Sequence, residues 1–111
     1  MAELIWTEPA LHDLDTIADY IALDNQLAAR GLVQRVFQHV EQLEAHPESG
    51  SVPPELRRYS RRYRQIVEPP CRVFYRYDRR ARKVYVLYVM RGEMRFRKSR
   101  LLKRNRARRT A

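Results

Sequence analysis

The apolar positions of this chain change their period along its length. Leu11, Leu14, Ile17, Ala18 and Ile21 recur at spacings of three and four, while Asp13, Asp15 and Asp19 fall largely elsewhere. That is the period of a helix with one face turned to a core, and it predicts a helix over about 9–23. Thr7 suits the N-cap, where a side-chain oxygen satisfies an unpaired backbone N–H, and Pro9 suits the first turn. Asp24-Asn25 interrupts the pattern. A second series, Leu32, Val33, Val36, Phe37, Val40 and Leu43, then runs towards His46-Pro47. Two helices joined by so short a turn fold back on each other as an antiparallel hairpin.

Elsewhere the pattern is that of strands. Residues 3–7 are β-favouring and stop at Glu8-Pro9, and 47–54 are turn residues throughout, which predicts the one long loop. After it come three runs, 63–68, 72–77 and 83–91, separated by Pro69-Pro70 and by residues 78–82. Such connections suit consecutive antiparallel hairpins. In the last run Val84, Val86, Tyr88 and Met90 alternate with Tyr85, Leu87 and Val89. Strict alternation assigns these two sets to opposite faces, and with both apolar the strand is central. The predicted fold class is α+β, in the order β-α-α-β-β-β. The two-helix hairpin packs on one face of a mostly antiparallel sheet, and the opposite face is left concave and basic. Residues 94–111 contain Phe96, Leu101 and Leu102 among many cations, and their first part either finishes the sheet or forms a helical turn. The expectation is therefore one domain over 1–102 and a basic, disordered tail over 103–111.

Charge changes this picture. The chain has 111 residues, 44% hydrophobic and 32% charged, with a net charge of +10. Residues 1–56 hold only Arg30 and Arg35 against ten acids, a balance of −8; residues 57–111 hold 21 Lys+Arg against Glu68, Asp78 and Glu93, a balance of +18. So lopsided a field steers acidic molecules to one end: nucleic acid, an anionic membrane surface or an acidic protein. A membrane span is excluded because no apolar run approaches the roughly 20 residues one needs. Without the basic start and apolar stretch of a signal peptide, the expected compartment is the cytoplasm. Cys71 is the single cysteine, so no internal disulfide and no cysteine-based metal cluster forms. His12, His39 and His46 have no common ligand spacing, and neither a metal nor a cofactor is expected.

Several strings, in order, carry a resemblance. They are Trp6-Thr7-Glu8-Pro9-Ala10-Leu11-His12-Asp13-Leu14 leading into Ile17-Ala18-Asp19-Tyr20-Ile21, and Glu44-Ala45-His46-Pro47-Glu48-Ser49-Gly50. Then follow Tyr63-Arg64-Gln65-Ile66-Val67, Cys71-Arg72-Val73-Phe74-Tyr75-Arg76 and Val86-Leu87-Tyr88-Val89-Met90-Arg91. Over about 3–102 the chain resembles the RelE/ParE superfamily, the toxins of bacterial type II toxin-antitoxin pairs. The resemblance implies a toxin neutralised by an acidic cognate antitoxin in a hetero-oligomer. RelE-like members cut mRNA in the ribosomal A site and ParE-like members poison DNA gyrase, so the implied target is gyrase or the ribosome with its mRNA. A nucleic-acid-binding module without toxic action is a further reading.

Cutting RNA through its 2′-hydroxyl needs a base, a cation for the developing phosphorane charge and an acid for the leaving oxygen. RelE-like members draw on lysines near the middle strands, a late-strand arginine and a C-terminal tyrosine or histidine. Here Arg91 matches the late arginine and Arg64 a middle one, the two catalytic candidates if the chain is an RNase. No lysine precedes Lys83, and Phe96 follows Arg91 where the acid or base is expected. The ParE-like, non-enzymatic reading is therefore favoured, while Tyr59, Tyr63, Tyr75, Tyr77, Tyr85 and Tyr88 leave a phenol open as the acid or base of the RNase alternative. Arg62, Arg64, Arg72, Arg76, Arg91, Arg95 and Arg97 are the candidates for gripping a target or antitoxin, although Arg91 also reads as an edge charge pairing with Glu68 or Glu93. The strand tyrosines read first as sheet packing and only then as a base-stacking platform.

Overall fold

The computed structural model describes residues 1–92 and 95–110, with side chains as far as Asn105 within the last helix. Strand β1 (Glu3–Trp6) leads into helix α1 (Glu8–Ala22), which turns at once into α2 (Gln26–Glu41). A loop then leads to β2 (Tyr63–Glu68), β3 (Cys71–Asp78) and β4 (Lys83–Arg91), and α3 (Lys98–Thr110) follows. The helix starts have local causes. Thr7 accepts the Ala10 N–H at 3.4 Å and donates its hydroxyl to Val86 O at 2.7 Å, so one residue caps α1 and ties it to β4. Asn25 caps α2 by accepting the Ala28 N–H at 3.0 Å; the residues that break the first helix thus begin the second.

The sheet order is β1-β4-β3-β2, with β1 parallel to β4 and the other pairs antiparallel. The chain is α+β, as its periodicities predict. Ala10, Leu14 and Ile17 of α1 and Leu32, Val36 and Val40 of α2 are buried against Val73, Tyr75, Val84 and Val86. Glu68 at the β2 edge is held by Arg35 at 3.4 Å and by His39 at 3.2 Å, both on α2.

Two expectations are corrected. First, strict alternation along β4 fails. Phe74 pairs with Tyr88 but Tyr75 with Val86, so Leu87 is an extra residue in a β-bulge. A bulge shifts the side-chain parity by one. Val84, Val86 and Val89 accordingly face the helices, whereas Tyr85, Leu87, Tyr88 and Met90 face away. Second, that far face is not left open. Leu56, Tyr63, Phe74, Leu87, Tyr88, Met90 and Leu101 are buried there in a second core, with Phe96 and Leu102 packed against it. The bulge puts Leu87 and Tyr88 side by side on this face, and so much apolar surface is stable only under a cover. Residues 54–56, a turn of 3₁₀ helix, and α3 supply that cover.

The chain expected to be disordered from Lys103 is therefore helical through Thr110, and its inner residues are anchored. Asn105 is buried and accepts a hydrogen bond from Arg76 Nε at 2.8 Å. Arg104 forms a two-pronged pair with Asp13 of α1, at 2.6 and 3.1 Å. The same pair satisfies the bulge. Val89 N–H donates to Asp13 at 3.0 Å, and Arg104 donates to Leu87 O at 2.9 Å. Backbone groups that a bulge removes from the ladder need such partners. The side chains of 106–110, and Ala111, lie outside the described residues.

Candidate cationic interaction surface

The seven arginines singled out by sequence do not form one patch. Arg72, on the far face of β3, is enclosed by neighbours. It makes two bonds to the Glu55 carboxylate, at 2.7 and 2.8 Å, and two to Gln65 Oε1, at 2.9 and 2.7 Å. Its guanidinium lies 4.9 Å from the Phe74 ring centre. Arg76, four residues on, is held by Asn105 and sits 5.3 Å over Tyr85. These two fasten the covers of the second core to the sheet rather than offering charge to solvent.

Arg64 and Arg91 lie on the helix side. Arg64, on the edge strand β2, donates to Gly50 O at 2.8 Å and stands 3.7 Å from Glu48. Arg91, at the end of β4, lies 4.6 Å over the Tyr20 ring of α1. Arg64 is in register with Tyr75 and Arg91 with Cys71, four residues apart on the strand between them. With ~3.3 Å per residue along a strand and ~4.8 Å between strands, their backbones are about 16 Å apart. Of the two acids proposed for Arg91, Glu68 is held by Arg35 and His39 of α2, and Glu93 lies outside the described residues.

The exposed cations lie elsewhere. Arg62, Arg95 and Arg97 are exposed, joined by Arg57, Arg58, Arg61, Lys98, Arg100 and Lys103. Residues 57–62 and the start of α3 are brought together by the second core, in which Leu56 and Leu101 pack. At the surface Lys98 Nζ lies 4.1 Å from the Tyr59 ring centre. The doublets Arg57-Arg58 and Arg61-Arg62 are visible in the sequence, but their neighbour α3 is not, because its short apolar complement gives no amphipathic signal.

Titration follows these contacts. The Arg72 hydrogen bonds hold the Glu55 carboxyl below the usual carboxylate range, against a smaller upward push from burial. The Arg79 hydrogen bond does the same for Glu48. Burial pushes the Tyr75 phenol up, its oxygen accepting the Gly50 N–H at 3.0 Å. A carboxyl whose pKa is lowered on folding adds stability above its unfolded value, about 4.3 for glutamate; that stability is lost as pH falls through the folded value. Circular-dichroism melts are expected to show the midpoint dropping below about pH 4. The drop is expected to be shallower in Glu55→Gln, and identical acid profiles would remove this role for Glu55.

Comparison with known proteins places the molecule. The family model for the ParE toxin of the type II toxin-antitoxin system parDE matches residues 4–96. The chain belongs to this family. ParE-family membership agrees with a solved structure, the chromosomal ParDE toxin-antitoxin system from P. aeruginosa. That structure matches at a TM-score of 0.65 and 26% identity, over 82% of this chain and 96% of its own. Toxin RelE2 of Caulobacter vibrioides is 40% identical over 50 residues, 45% of this chain and 57% of that protein. The match thus spans little more than half the length of this curated relative. In this ParE-family chain the match covers β1 through β4 but ends at Phe96, before α3 begins. Among the described residues no helix is long and apolar enough to cross a membrane.

Proposed function

We propose that this ParE-family chain is a toxin that inhibits DNA gyrase by binding rather than by cutting nucleic acid, and that an acidic cognate antitoxin neutralises it. The observation that carries binding over cutting is the separation of Arg64 from Arg91. Acid-base cleavage needs its groups within about 3 Å of the reacting atoms, whereas the backbones of these two residues stand about 16 Å apart by strand geometry and their guanidinium groups hold different partners, Gly50 and Glu48 for Arg64 and the Tyr20 ring for Arg91. The family match to the ParE toxin supports gyrase as the target. Purified protein added to gyrase and relaxed plasmid is expected to abolish supercoiling at near-stoichiometric amounts. Gyrase that stays active at large excess sinks the reading.

The likeness to Toxin RelE2 motivates the second reading, a ribosome-dependent mRNA endoribonuclease. Primer extension on mRNA from translating ribosomes separates the two, because A-site cuts belong only to the nuclease. For the antitoxin, the helical hairpin leaves Leu11, Tyr20, Leu23, Leu27 and Phe37 exposed. An amphipathic acidic segment that folds as it binds would cover these residues. The +10 charge would speed its approach at low salt.

A further inference from the structure

The cations of this molecule fall into two classes. One class is matched internally: Arg35 with Glu68, Arg72 with Glu55, Arg79 with Glu48 and Arg104 with Asp13. The other class includes Arg57, Arg58, Arg61, Arg62, Arg97 and Lys98, all exposed and without a recorded acidic partner among the described residues. They belong to two segments that the second core locks side by side, so the charge is displayed on a fixed wall rather than on a loose tail.

We propose that this wall binds the sugar-phosphate backbone of duplex DNA. Three features select that ligand. The cations are nearly all arginine, whose planar fork matches phosphate oxygens. Among the described residues the wall has little apolar surface: Tyr59, 54% exposed and in contact with Lys98, is the one large exposed ring there, and the other exposed large apolar residues are chiefly on the helical hairpin and its tip. An acidic peptide that folds on binding needs apolar burial as well as charge, so the hairpin suits it and the wall does not. Single-stranded RNA is commonly held by stacking its bases on open rings. Here Phe74 and Tyr88 are buried, with Phe96 packed against them beneath α3. What remains is a sequence-independent grip on a regular phosphate lattice. Alongside it, the 13 residues of α3 extend about 20 Å, the length of roughly six base pairs. On the gyrase reading, the toxin would hold the enzyme and its DNA together, but the binding itself requires no gyrase.

The test uses the full chain alone. Fluorescence anisotropy with a labelled 20-base-pair duplex is followed from 50 to 300 mM NaCl. The expected slope of log K against log salt is about −5, from six cations releasing about 0.9 counterion each. Arg57→Gln/Arg58→Gln/Arg61→Gln/Arg62→Gln is expected to weaken binding at least tenfold at 100 mM and to flatten the slope by about 3–4. Arg97→Gln/Lys98→Gln is expected to flatten it by about 2, a second readout should the quadruple variant not fold. Gln34→Ala, at an exposed position of α2, is expected to change neither. No binding at 50 mM overturns the proposal, as does a slope that both cation variants leave intact. Displacement of the duplex by polyglutamate at equal charge concentration would assign the wall to an acidic peptide, and tighter binding of single-stranded RNA would assign it to mRNA. Since gyrase is absent, DNA binding and the supercoiling reading fail independently.

Discussion

Asp13→Ala is expected to lower the stability of the chain by about 3 kcal/mol, the low end of what removing one partner of a buried ion pair costs. At the usual unfolding entropy per residue this is a fall of ~13 °C in the thermal midpoint. Both side chains are largely enclosed, Asp13 at 13% exposure and Arg104 at 17%. The substitution leaves Arg104 without its counter-charge and Val89 N–H without its acceptor. A double-mutant cycle with Arg104→Met separates these losses. With both charges gone the ion-pair cost largely disappears. The double variant still stays below the wild type by about 1–2 kcal/mol, because Leu87 O and Val89 N–H then lose their partners. Hydrogen exchange is expected to show the Val89 amide losing protection in Asp13→Ala. A single variant within 1 kcal/mol of the wild type would mean that the pair does not hold α3 to the body.

Gly50→Ala is expected to cost about 2–3 kcal/mol, in the upper range for overpacking. An added Cβ would stand 2.6 Å from both Gln65 O and the Tyr75 hydroxyl, and 2.8 Å from Tyr75 Cε1. None of these neighbours yields easily. Gln65 is bound in both directions to Ser51, at 2.7 and 3.0 Å, and Tyr75 is fully buried. The loop of residues 47–51 is fixed at this point, and Arg64 binds the Gly50 carbonyl from the other side. Tyr75→Phe relieves only the hydroxyl contact, so Gly50→Ala/Tyr75→Phe is expected to recover less than half of the loss. Urea unfolding of the three variants measures this, and full recovery in the double variant would show that the Gln65 carbonyl is not an obstacle.

Much of the fold is legible in the sequence because the helical face is written in its period. Leu14 and Ile17, and Leu32, Val36 and Val40, occupy buried sites on α1 and α2 as their spacing requires. The caps at Thr7 and Asn25 have equally local causes. The bulge has none. Leu87 and Tyr88 look like ordinary alternating residues, and only pairing with β3 and the Asp13–Arg104 pair show which is extra. The helical state of 98–110 was hidden for a related reason. Its order rests on Leu101, Arg104 and Asn105 meeting groups far away in the chain, and composition alone reports only its charge. The same blindness affected the candidate arginines. Arg72 and Arg91 look alike as strand cations, but one meets Glu55 and Gln65 and the other stacks on Tyr20.

The link between Asp13 and Arg104 also bears on when the molecule becomes whole. It spans 91 residues of chain, and Asp13 is separated from its bulge partner Val89 by 76. Contacts between such distant residues carry a high loop-closure cost and favour late formation. The hairpins β2-β3 and β3-β4 close over short turns, and the bulge must exist before Arg104 has a carbonyl to hold. Docking of α3 is thus the step that encloses Phe74, Tyr88 and Met90, and the same step sets α3 beside residues 57–62. A partner that reads the two segments together would therefore distinguish finished molecules from nearly finished ones.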